Sequence, residues 1–131
     1  MADNIPTLSH VSLGTNDFAR AKAFYDAVLG TLQLKCVMDF PGGAAYGRRF
    51  PDFWIQGPHD RGQASAGNGV HICFFAASEA QVKAFHAKAL EMGGKDEGAP
   101  GLRPEYSQTY YAAFVKDLDG NKIEAMVFTK S

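Results

Sequence analysis

The chain has 131 residues, 46% apolar and 21% charged, which suits one domain large enough to bury a core. Thirteen Lys and Arg against fourteen Asp and Glu leave a net charge of −1, so neither a basic surplus for nucleic acid nor an acidic tail for a basic partner is present. The opening residues lack the blocks of a signal peptide, no apolar run reaches the ~20 residues of a membrane span, and Cys36 and Cys73 lack CxxC spacing and read as reduced, buried thiols, so the expectation is a cytoplasmic protein with no membrane and no nucleic-acid partner.

The stretch 8–13 alternates as a strand. Thr15, Asn16 and Asp17 offer N-cap chemistry, and Phe18, Ala21, Phe24, Tyr25, Val28 and Leu29 then recur at helical spacing, with Gly30 as the expected C′ residue. Strands are predicted at 32–40, 44–48 and 53–56, with a turn at Pro41, Gly42 and Gly43, and 57–69 reads as a loop. The pattern then restarts. A strand at 70–76 precedes a capping box of Ser78 and Gln81, and a helical stripe of Val82, Phe85, Ala89, Leu90 and Met92 stops at Gly93 and Gly94. A short strand at 95–97, a long loop at 98–108, a strand at 110–116, a turn at 117–120 and a last strand at 121–128 complete the chain.

The order is β-α-β-β-β, twice. A slide of 61 residues places His10 on His71, Lys22, Ala23 and Phe24 on Lys83, Ala84 and Phe85, and Leu29 on Leu90. The fold class is therefore α+β: two βαβββ repeats, at about 8–57 and 69–128 of a single domain 1–131, forming a cupped, mostly antiparallel sheet with helices on the convex face.

Strand side chains alternate between faces. Val11 and Leu13, Ile72 and Phe74, and Ile123, Ala125 and Val127 make purely apolar faces that belong under the helices. His10, His71 and Glu124 then share the opposite face. Two imidazoles and a carboxylate are a ligand set for one divalent metal, and Zn, Mn, Fe and Ni suit it about equally. The bland alternative is two hydrogen-bonded strand histidines and a solvated Glu. Trp54, Tyr110 and Tyr111 are candidate pocket walls, with one of the two tyrosines expected at the site. Arg48, Arg49 and Arg103 are candidates to hold an anionic substrate.

Three segments make the chain recognisable: His10 to Leu13 with the helix after Asp17; Gly69, Val70, His71, Ile72, Cys73 and Phe74; and Asp117, Leu118, Asp119, Gly120, Asn121, Lys122, Ile123 and Glu124. They resemble the vicinal oxygen chelate superfamily, which includes glyoxalase I, extradiol dioxygenases, fosfomycin-resistance enzymes and bleomycin-binding proteins, and the likeness runs over 8–128. It implies a homodimer, and His10, His71 and Glu124 as metal ligands. It also implies a metal-dependent lyase, isomerase or dioxygenase acting on a small substrate that chelates the metal through neighbouring oxygens, with Glu124 doubling as catalytic base. Where glyoxalase I carries a fourth ligand, a Glu, this chain has Trp54 and Gln56. Trp54, Gln56, Tyr110, Tyr111 and Arg103 are the expected substrate contacts. The alternative is a metal-free small-molecule binding protein of the bleomycin-resistance kind.

Overall fold

The computed structural model describes residues 4–130. Its elements run β1 (Val11–Gly14), α1 (Phe18–Gly30), β2 (Lys35–Phe40), β3 (Gly43–Gly47), β4 (Phe53–Gln56), β5 (His71–Phe75), α2 (Glu79–Glu91), β6 (Lys95–Leu102), β7 (Tyr110–Lys116) and β8 (Lys122–Phe128). Two four-stranded sheets result, ordered β1-β4-β3-β2 and β5-β8-β7-β6. In each, the first strand pairs parallel with the last and the other pairings are antiparallel. This is the twice-repeated βαβββ order. No described helix is long and apolar enough to cross a membrane.

Local chemistry accounts for the helix starts. The Asp17 carboxylate accepts from the Arg20 backbone N–H at 3.2 Å, and Ser78 Oγ accepts from Gln81 N–H at 3.2 Å. Gln81 Oε1 reaches back to the Ala77 N–H at 2.8 Å, one residue before the expected capping-box partner. The C-terminal ends differ from each other. Gly93 takes a positive φ of 99°, as a helix stop requires, but Gly30 is the last helical residue of α1 and is capped by Thr31 in right-handed geometry. The left-handed residue there is Gln33, φ 61°.

The largest departure from the sequence reading is β6. Eight residues are strand where 95–97 were expected, and the loop shrinks accordingly. Pro100 and two glycines fit because β6 is an edge strand whose register with β7 shifts twice. The two thiols also differ from expectation: both are free, but Cys36 and Cys73 are exposed residues.

One core serves both halves. Phe24, Tyr25, Val28 and Leu29 of α1 and Val82, Phe85 and Ala89 of α2 bury against Phe53, Ile55, Phe74, Tyr111, Val115 and Ile123 of the strands. Each fully buried Phe, Leu or Val stabilises the fold by about 1.5–3 kcal/mol. The helices also pack on one another, and Phe53 of the first sheet meets Phe74 of the second edge-on at 5.0 Å. Polar ties cross the same boundary. Tyr25 Oη donates to Asp117 Oδ2 at 2.5 Å, where Asn121 Nδ2 also donates at 3.0 Å. Arg48 donates to the carbonyls of Leu32 at 3.0 Å and Phe75 at 3.3 Å, so it joins the halves and is not a free anion-binding group.

Candidate functional site

Alternation leaves a second set of side chains on the face of each sheet turned away from the helices. On the second sheet this open face carries His71, Cys73 and Phe75 of β5, Tyr110, Ala112 and Phe114 of β7, and Lys122, Glu124, Met126 and Phe128 of β8. Ala112, Phe114 and Met126, with Tyr110, form a small apolar cluster separate from the main core.

Glu124 sits in the middle of this face with 2% of its surface exposed. A carboxylate so withdrawn from water needs partners. Oε1 lies 3.1 Å from His71 Nε2, and Oε2 accepts from Tyr110 Oη at 2.5 Å. Burial, and then the bond to Glu124, raise the Tyr110 hydroxyl's pKa above its ordinary value, so the phenol remains a donor. Cys73 Sγ lies 4.0 Å from Tyr110 Oη. Desolvation, and then the charge of Glu124, push its thiol up to about 12. Although the Cys73 residue is open to solvent, its sulfur is crowded by the wall it shares with Phe75, Tyr110, Met126 and Phe128. Tyr106, from the loop after β6, stacks edge-on against Tyr110 at 5.1 Å.

Of the two candidate tyrosines, Tyr110 faces this site and Tyr111 lies in the main core on the opposite face. Register decides between them: Phe114 pairs with Glu124 across β7 and β8, and Tyr110 shares the face of Phe114. Arg103 follows β6. Its Nη1 donates to Gly101 O at 2.9 Å and its Nη2 to Ala99 O at 2.7 Å, and its guanidinium lies 5.4 Å from the centre of the Phe114 ring.

The first sheet presents a separate open face. His10 stands one residue before β1, with Nδ1 at 2.9 Å from Ser9 Oγ and its ring 6.0 Å from that of Trp54. Trp54 is oriented by a 2.8 Å bond from Nε1 to Pro51 O, and Gln56 Nε2 reaches Ser12 Oγ at 3.5 Å. His10 therefore keeps company with Trp54 on one sheet, and His71 with Glu124 on the other. Among the described residues no three His, Cys, Asp or Glu side chains stand close enough to hold a metal ion. His71 and Glu124 alone fit as half of a site: their 3.1 Å separation is near the ~3.3 Å between neighbouring donors of a tetrahedral zinc with bonds of about 2.0–2.2 Å. Within one chain His10 does not join them.

Cys73, Phe114, Lys122, Met126 and Phe128 were not singled out from the sequence as site residues. Their signal was available, since each lies two or four residues from His71, Tyr110 or Glu124 in the same strand.

The chain is similar to a glyoxalase/bleomycin resistance protein from Albidiferax ferrireducens T118, at 39% identity over 92% of this chain and 98% of that one, with a TM-score of 0.82. Its fold is also that of a lactoylglutathione lyase from Agrobacterium tumefaciens (22% identity, 94% of each chain, TM-score 0.64). A glyoxalase I mutant from Zea mays shares it as well, at 24% identity over 89% of this chain and 44% of that longer one, with a TM-score of 0.68. No curated protein matches the chain. The family model described as Glyoxalase/Bleomycin resistance protein/Dioxygenase superfamily matches residues 7–125, and with a 39% identical relative matched over nearly its whole length the chain belongs to that superfamily.

Proposed function

We propose that the protein is a metal-dependent enzyme of lyase, isomerase or dioxygenase type. It works as a homodimer in which His71 and Glu124 of one copy and His10 of another hold one divalent ion. The observation that carries this reading is the His71–Glu124 pair: two donors 3.1 Å apart on neighbouring strands, with a nearly fully buried carboxylate on an open face. Splitting the trio between two sheets makes a second copy the natural source of the third donor. When bound, the ion would supply Lewis-acid stabilisation to a substrate offering two neighbouring oxygens. Glu124 is the carboxylate available to accept a substrate proton, and Tyr110 holds its Oε2 ready on that side. Trp54 and Gln56 would wall the site from the first sheet. Because that position carries no Glu, turnover of the methylglyoxal–glutathione hemithioacetal should be slight.

A second reading has its own support. Tyr110 already satisfies Glu124 Oε2, and Cys73, Phe75, Tyr110, Met126 and Phe128 line a largely apolar cavity of about 270 Å³. A metal-free protein binding a flat, hydrophobic molecule would use the same face.

Calorimetric titration with Zn, Mn, Fe and Ni separates the two. The metal reading expects binding near one ion per chain, lost steeply in each of His10→Ala, His71→Ala and Glu124→Ala, and a dimer by light scattering. No heat with any metal, or full binding by the three variants, would hand the site to the second reading.

A further inference from the structure

Glu124 is held from two directions along β8. His71 pairs in register with Lys122, two residues before Glu124, and Tyr110 pairs with Phe128, four residues after it. The two partners take opposite oxygens: His71 Nε2 lies 3.1 Å from Oε1, and Tyr110 Oη donates to Oε2 at 2.5 Å. Contacts at both ends fix how the carboxylate is turned. With 2% of the residue exposed, water does not compete for either oxygen.

The two contacts fare differently if His71 and Glu124 share an ion. The His71 contact gives way, because Nε2 and Oε1 are then both donors to the metal. The Tyr110 bond persists, because it uses the other oxygen. Tyr110 is also held in place. Its backbone N–H donates to Ser107 O at 3.2 Å, and its carbonyl accepts from the Arg103 N–H at 2.8 Å. Its ring is met edge-on by Tyr106 at 5.1 Å and by Phe128 at 5.8 Å.

A carboxylate gives a metal either one oxygen or both. Turning Oε2 round to the ion would break the Tyr110 bond and leave the phenol without its acceptor, in a setting closed to water. A hydrogen bond to a charged oxygen is stronger than a neutral one, so this turn is opposed. Bonds of this kind, made to a ligand rather than to the ion, change metal affinity by about 10–100-fold in other sites.

We propose that Tyr110 is a positioning residue that restricts Glu124 to one oxygen at the ion, and so keeps the neighbouring coordination position free for the second oxygen of a chelating substrate. This deepens, and rests on, the metal reading of the site. Oε1 is the ligand, Oε2 stays on Tyr110, and the substrate supplies both oxygens of its own bite. Removing the hydroxyl frees Oε2 to take the position that the substrate needs.

The test uses the full chain loaded with whichever of Zn, Mn, Fe and Ni it holds most tightly. Acetohydroxamate is the probe with two neighbouring oxygens, and azide the probe that needs one position. In calorimetric titrations Tyr110→Phe should weaken acetohydroxamate about tenfold or more and leave azide within about twofold. A crystal structure of the metal-loaded wild type should show one Glu124 oxygen on the ion and the other still on Tyr110, and this arm does not depend on how the variant folds. Both Glu124 oxygens on the ion in the wild type would overturn the proposal. So would unchanged acetohydroxamate binding by Tyr110→Phe, or equal losses of the two probes, which a merely loosened site would give. Each of these outcomes leaves the metal reading standing. A wild type that binds none of the four ions removes that reading, and this role of Tyr110 with it.

Discussion

Tyr110→Phe isolates the bond that holds Glu124. The ring is retained, so its edge contacts with Tyr106 at 5.1 Å and Phe128 at 5.8 Å persist, and only the hydroxyl bonded to Oε2 at 2.5 Å is removed. Glu124 is 2% exposed, so water cannot readily replace the donor. A hydrogen bond to a charged group contributes about 1.5–3 kcal/mol, and an orphaned buried acceptor carries a penalty of similar size. The variant should lose about 1.5–3 kcal/mol by urea denaturation of metal-stripped protein at neutral pH. For a domain of this length that corresponds to about 5–11 °C in Tm. Glu124→Gln should cost less, because it removes the buried charge along with the charge-assisted bond. The double variant should then show a coupling of about 0.5–3 kcal/mol between the two positions. A Tyr110→Phe loss below about 0.5 kcal/mol, the scale of an ordinary surface change, would show that Glu124 Oε2 does not depend on this bond.

Two further outcomes follow from individual groups. The bond from His86, with the Gly98 N–H second, lowers the Asp96 carboxyl pKa below its ordinary value of 3.8. A depressed carboxylate pKa contributes stability above the unfolded value and loses it as pH falls through the folded one. Asp96→Asn should therefore lower the urea midpoint evenly across neutral and alkaline pH and flatten its fall below about pH 4; an unchanged acid limb would refute it. The Cys73 thiol, pushed up to about 12, should react slowly with iodoacetamide at neutral pH, its rate climbing with pH and showing no plateau below about pH 10. Mass spectrometry of the labelled Cys73 peptide reads this directly, and a plateau near pH 8 or 9 would contradict the crowded, acid-flanked setting of the sulfur.

Periodicity and punctuation made much of the molecule legible in its sequence. The two helices, their caps at Asp17 and Ser78, the duplicated order of elements and the division of each strand into a helix-side and an open face are consequences of spacing over a few residues. Alternation alone required that Tyr110 and Tyr111 face opposite ways, and put Glu124 on the same face as Lys122 and Met126. What alternation cannot supply is register between strands. The pairing of Phe114 with Glu124 selected Tyr110 as the partner of the carboxylate and sent Tyr111 to the core. Residues 98–102 became strand because an edge position tolerates Pro, Gly and bulges that the same composition in isolation assigns to a loop. The same bulges supply the carbonyls that hold Arg103. The separation of His10 from His71 and Glu124 lies furthest from the sequence. The slide of 61 residues made the two histidines equivalent, yet equivalence under a repeat does not imply contact. Where each half's open face lies follows from packing both helices and Phe53 and Phe74 into one shared core. That burial is non-directional and long-range, so only the assembled tertiary structure decided that one chain carries the candidate ligands in two parts.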